Sequence, residues 1–149
     1  MTASLIDTNI LVYSFDLAEP RKNRLARELL TSLQLYQQGF LGMQCVGEFF
    51  NVVSRGKLPK LTLDEAALQV DVFLQSFPVY PLTPGIVREA VRIVREHQIS
   101  YFDAQIWACA KLHEIPLVFS EDFQDGQILE GIRFVNPFAE NFELEKWIQ

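Results

Sequence analysis

Leu5-Ile6-Asp7-Thr8-Asn9-Ile10-Leu11-Val12-Tyr13 decides how this chain folds. Residues 3–6 are a short apolar run. Asp7-Thr8-Asn9 interrupts it, and Ile10 to Phe15 continues as a short helical pattern. A strand that turns through polar residues into a helix is the opening of a βαβ unit.

The same alternation continues outward from this segment. Pro20 opens a second helix and Gly39 closes it, with Leu25, Leu29, Leu33 and Tyr36 as its apolar stripe. Phe40-Leu41-Gly42 reads as a strand. The helix from Met43 to Arg55 follows, with Val46, Phe49, Phe50 and Val53 inward, and Gly56 and Pro59 end it. Thr62 and Glu65 fit a capping box ahead of Ala66, Ala67, Val70, Phe73, Leu74 and Phe77. Pro78 to Leu82 is a third strand, weakened by its prolines. Thr83-Pro84 starts a helix that buries Ile86, Val87, Ala90, Val91 and Val94. Ser100 caps the helix carrying Asp103 and Trp107. Residues 116–119 and Ile132–Val135 are the fourth and fifth strands. Strands alternating with helices imply a mostly parallel sheet covered on both faces. Sites in such sheets form at the carboxyl ends of strands, where strand order reverses.

At 149 residues the chain is expected to form a single domain, 1–149. Its 49% hydrophobic content argues against disorder. No apolar run approaches the roughly 18 residues of a membrane helix. The N-terminus lacks a basic segment, so a signal peptide is not expected. Cys45 and Cys109 match no metal or redox spacing and read as reduced, buried thiols of a cytoplasmic protein. The net charge is −6, but it is unevenly spread. Residues 114–149 hold eight acids and two bases, whereas residues 1–113 hold eleven of each. Net charge therefore neither supports nor excludes a polyanionic substrate.

Four acids stand beside hydrophobic runs: Asp7, Glu48, Asp103 and Asp122. No base lies within three positions of any of them. Two carboxylates about 4 Å apart repel by roughly 4 kcal/mol at an effective dielectric near 20, so convergence calls for a cation. Each acid also has a bland role. Asp7 suits the cap of the helix beginning near Ile10. Asp103 completes a Ser100-x-x-Asp103 box. Asp122 fits a turn in Ser120-Glu121-Asp122. Glu48, between Cys45 and Val52 on a semi-apolar edge, resists such a reading. Together the four could hold Mg²⁺ or Mn²⁺. Thr8 and Asn9 would orient Asp7 or a water, Ser120 would support the last acid, and Asp125 is a further ligand candidate. Basic residues group at Arg21, Lys22, Arg24 and Arg27, where a helix start could attract phosphate, and at Arg88, Arg92 and Arg95. Arg55, Lys57 and Lys60 follow the Glu48 helix and could guide a polyanion toward the acids. His97 and His113 lack a nucleophilic partner, and Trp107 reads as core.

Four blocks carry a resemblance: residues 5–13, Val-Gly-Glu-Phe-Phe-Asn-Val at 46–52, Tyr-Phe-Asp-Ala-Gln-Ile-Trp-Ala at 101–108 and Phe-Ser-Glu-Asp-Phe-Gln-Asp-Gly at 119–126. In that order the chain resembles PIN-domain ribonucleases of the VapC toxin type. The resemblance implies a three-layer α/β/α sandwich with a five-stranded parallel sheet and Mg²⁺- or Mn²⁺-dependent RNA cleavage. It assigns the acids to Asp7, Glu48, Asp103 and either Asp122 or Asp125. It also implies a small VapB-like antitoxin and a homodimer. Two other classes compete. A haloacid-dehalogenase-like phosphatase wants a second Asp where Asn9 stands and a Lys before the last acids, where none occurs. A non-catalytic α/β interaction module would keep the acids as caps.

Overall fold

The computed structural model of the chain describes residues 2–148. Its elements are β1 (Ser4–Ile6), α1 (Thr8–Tyr13), α2 (Pro20–Leu35), β2 (Gly39–Gly42), α3 (Met43–Ser54) and α4 (Leu63–Ser76). There follow β3 (Val79–Tyr80), α5 (Pro84–Glu96), α6 (Tyr101–Leu112), β4 (Leu117–Phe119), β5 (Ile128–Leu129) and β6 (Ile132–Val135). The sheet runs β3-β2-β1-β4-β6-β5. Every pairing is parallel except β5 with β6.

The chain moves one way from β1 through β2 to β3, then jumps back across the sheet to β4. Right-handed crossovers therefore put α1 to α4 on one face and α5 with α6 on the other. The helix contacts follow that division, with α1 against α2 and α3, α3 against α4, and α5 against α6. Strand order reverses between β1 and β4. Their register pairs Ile6 with Phe119, and the Asp7 amide donates to the Phe119 carbonyl at 3.0 Å. Asp7 and Ser120 thus leave the sheet side by side.

The sheet has six strands where the sequence suggested five. The extra strand is β5, joined to β6 by Glu130 (φ +45°) and Gly131 (φ +85°). Two consecutive positive φ values make the tight turn that matches strand twist, so the chain folds back as an antiparallel edge. The third strand shrinks to Val79–Tyr80 between its prolines. The first helix starts at Thr8 rather than near Ile10.

The core contains Leu5, Ile6, Leu41, Phe49, Trp107, Phe119 and Phe134. Trp107 is fully buried, and its indole N–H donates to the Leu129 carbonyl at 3.0 Å. Several stripes rotate from their expected faces. Tyr36, Ala67, Leu74 and Val91 are exposed, while Ala26, Leu30 and Ile93 are buried. Period alone sets a stripe's width, and packing partners choose its centre. The Thr62–Glu65 capping box forms as expected.

Gly39 does not close α2, which ends at Leu35. It opens β2 instead, beneath Phe77 and Leu33. A Cβ there would lie 2.9 Å from the Phe77 ring and 3.0 Å from the Leu33 Cβ. Gly47, inside α3, has nothing within 4 Å of the same position. Gly39→Ala is expected to destabilise the fold by about 1–3 kcal/mol through overpacking. Gly47→Ala should stabilise it by roughly 0.5–1 kcal/mol by restricting the unfolded chain. Urea unfolding of both variants checks this, and equal midpoints would overturn the contrast.

Candidate metal centre

Asp7 caps α1, and its carboxylate accepts the Thr8 amide at 2.7 Å. The cap leaves its second oxygen for other elements. Ser120, just past β4, donates its hydroxyl to that oxygen at 2.6 Å. The Asn9 amide approaches both Asp7 and Ser120 at 3.4 Å. Ser120 also accepts the Asp122 amide at 3.1 Å. Its single proton is thus directed to Asp7 and its lone pairs to the turn.

Asp7 is buried, and that burial drives its carboxyl pKa up to about 7. The Ser120 and Thr8 hydrogen bonds oppose the rise, while the charges of Asp122 and Asp103 add to it. Asp122 is also raised, mainly by desolvation, with Asp103 and Glu121 contributing and the Asn9 amide opposing. Asp7, Asp103 and Asp122 therefore share one electrostatic neighbourhood at the strand-order reversal. Asp103 lies in the first turn of α6, where Ser100 accepts its amide at 3.4 Å.

Glu48 approaches from α3. It is exposed, and the Thr8 hydroxyl donates to it at 2.8 Å. Its charge and that of Asp7 both raise the buried Cys45 thiol, with desolvation the larger cause. Asp125 is placed differently: its carboxylate accepts the Asn136 amide at 2.9 Å, at the end of β6. Of the two rivals for the last acid, Asp122 is the one that acts on Asp7.

The donor set suits a hard divalent cation: carboxylates and an amide, with no thiol or imidazole among them. The Asn9 amide oxygen is buried with no hydrogen-bond partner among the described residues. An orphaned acceptor among mutually repelling carboxylates is a ready ligand or water acceptor. Mg²⁺ retains several waters, so such a set need not close into a tight cage. Among the described residues, the trio of acidic and His ligand atoms within 4.8 Å of one another is elsewhere, at Glu96, His97 and Glu130. Arg92 already occupies that trio, reaching Glu96 at 2.7 Å, Glu130 at 2.9 Å and Glu89 at 2.6 Å. It is a surface ion-pair knot.

The sequence reading missed part of the surroundings. Lys22 is not free at its helix start; it pairs with Glu121 at 2.9 Å. Tyr13 donates to the same Glu121 at 2.7 Å. Nothing local in the sequence signals partners about 100 residues apart. Cys45 and Cys109 are buried free thiols, as expected, with Cys109 raised to about 11 by desolvation. No helix among the described residues is long and apolar enough to cross a membrane.

A PIN domain profile matches residues 4–124. Comparison with curated proteins gives no match. Among solved structures, a toxin–antitoxin complex from Klebsiella pneumoniae is 22% identical, with TM-score 0.64, covering 91% of this chain and 98% of that one. Mycobacterium tuberculosis VapC20, a toxin that cleaves the sarcin-ricin loop, is 17% identical at TM-score 0.64, covering 88% and 99%. DNA-bound VapBC from Salmonella typhimurium is 15% identical at TM-score 0.67, covering 90% and 97%. At these identities the likeness is one of fold.

The raised Asp7 pKa has a direct consequence for the metal-free chain. The folded state holds the Asp7 proton more tightly than the unfolded state. The resulting stability is full below the ordinary value of 3.8 and is lost as pH climbs to about 7. Asp7→Asn mimics the protonated form and removes this loss. In chelator, Asp7→Asn and the parent should be alike near pH 4. Above pH 7 the variant should be more stable by up to roughly 4 kcal/mol. Denaturant midpoints across that range measure the gap, and parallel pH profiles would contradict it.

Proposed function

The chain belongs to the PIN-domain family, and from that membership we propose that it is a divalent-metal-dependent endoribonuclease, the toxin of a VapBC-type pair. The observation that carries this reading is the convergence of Asp7, Asp103 and Asp122 at one sheet edge: the charges of Asp103 and Asp122 both bear on Asp7, and that of Asp103 bears on Asp122. As caps alone, these acids would gain nothing from meeting.

In this reading Asp7, Glu48, Asp103 and Asp122 hold Mg²⁺ or Mn²⁺, and Asp125 serves the end of β6. When bound, such an ion lowers the pKa of water and stabilises charge on a phosphodiester undergoing in-line attack. The chain's own groups set the arrangement. Ser120 and the Thr8 amide fix the two oxygens of Asp7. The Thr8 hydroxyl donates to the Glu48 carboxylate and ties α3 to the start of α1. The Asn9 amide N–H bridges Asp7 and Ser120, and its oxygen remains to accept from a water. A cation among the carboxylates would also offset the desolvation of Asp7 and the repulsion from Asp122 and Asp103.

RNA as substrate, a small VapB-like antitoxin and a homodimer follow from the family likeness. The similar Klebsiella structure is a toxin–antitoxin complex, and the Salmonella one is a VapBC bound to DNA. Arg55, at the end of α3, lies seven residues beyond Glu48, about 10 Å along a helix. Together with the exposed Lys57 and Lys60 it would steer the RNA backbone.

Cleavage of a structured RNA with Mn²⁺ tests the proposal. EDTA should abolish it. Asp7→Asn and Asp103→Asn should each lower the rate by more than the roughly 10- to 100-fold that loss of an outer-shell partner costs. Asp125→Asn should stay within a few-fold of the parent. Equal cleavage by all samples would sink the metal-nuclease reading.

A further inference from the structure

We propose that Tyr13, Lys22 and Glu121 form a positioning clamp, which holds the Ser120–Asp122 turn against Asp7. The inference rests on the metal-nuclease reading and assigns residues that reading leaves unused.

Glu121 sits between the two residues of its turn that serve the site. Ser120 donates to Asp7, and Asp122 adds its charge to that of Asp7. Both oxygens of Glu121 are taken. Tyr13, at the end of α1, donates to Oε1 at 2.7 Å. Lys22, near the start of α2, donates to Oε2 at 2.9 Å. Lys22 also reaches the Tyr13 hydroxyl at 3.3 Å, closing the triangle.

The anchors are themselves held. The Tyr13 ring meets the buried Phe138 ring edge-on at 5.1 Å, and Asn23 donates to the Tyr13 carbonyl at 3.0 Å. The Lys22 ammonium stands over both rings, 4.7 Å from Tyr13 and 5.6 Å from Phe138. A partly exposed ion pair of this kind contributes little to stability. Its geometric effect is larger, because it joins α1, α2 and the β4 turn, and Asp7 is the cap of α1. The turn is therefore fixed from two sides, by Ser120 on Asp7 and by Glu121 on Tyr13 and Lys22.

Calorimetric titration of Mn²⁺ into the full chain tests the clamp, with circular dichroism to confirm folding. Tyr13→Phe keeps the ring and the net charge and removes only the hydroxyl. It is expected to weaken Mn²⁺ binding about 10-fold, the low end of outer-shell losses. With RNA saturating, kcat should fall while KM holds. Lys22→Gln removes a positive charge, which by charge alone would tighten cation binding. A weakening there therefore reports lost positioning, and it also serves if Tyr13→Phe folds poorly. The double variant should lose no more than the worse single one, because the three groups act as a unit. If the parent binds Mn²⁺ and cleaves RNA but both single variants bind as it does, the clamp is overturned and the nuclease reading stands. Additive losses in the double variant would also overturn it. A parent that neither binds Mn²⁺ nor cleaves RNA removes both ideas together.

Discussion

The burial of one carboxylate organises this molecule. Asp7 leaves β1 at the point where strand order reverses, with β4 immediately beside it. Its place between β1 and β4 leaves it only 8% exposed, and its hydrogen bonds do not offset desolvation. Its pKa accordingly rises to about 7 despite two bonds that favour the charged form. A buried acid in this condition either keeps its proton or recruits positive charge. The surroundings fit the second course, because the charges that bear on it are those of further acids, Asp122 and Asp103.

The polar shell shows how the fold tolerates that arrangement. Each hydroxyl near the site has one defined direction: Thr8 toward Glu48, Ser120 toward Asp7. Lys22, a cation near the cluster, is committed to Glu121 and so does not quench Asp7 or Asp122. Ion pairs elsewhere are similarly segregated. Arg92 gathers Glu89, Glu96 and Glu130 on the surface and lies over the Trp107 ring at 5.7 Å. The fold thus places cations where they tie elements together and leaves the sheet edge negative.

Much of this was legible in the residues. The alternation of apolar runs and helical stripes identified an α/β fold, and the caps at Thr62, Thr83 and Ser100 marked helix starts correctly. Asp7, Asp103 and Asp122 stood out because no base lay near them in the chain. The misreadings have physical causes. Gly39 looks like a helix terminator, yet it is needed where β2 passes under Phe77. Tyr36 and Val91 satisfy helical spacing but lie at the edge of the packed face and stay exposed. Strand β5 is two residues long, and only the turn at Glu130 and Gly131 makes it pair. The bland readings also proved partly right, since Asp7 is a helix cap as well as a member of the cluster.

By itself the sequence determined which segments fold into which elements and which acids lack a local counter-charge, because both depend on residues a few positions apart. Tertiary structure alone decided which acids meet. Asp122 and Asp125 are three residues apart and chemically identical, and only the path of the β4 turn sends one toward Asp7 and the other to the Asn136 amide. It likewise decided that Lys22 holds Glu121, across about 100 residues of chain. Such pairings depend on strand order and register, which arise when the whole sheet closes over its core and no local pattern encodes them.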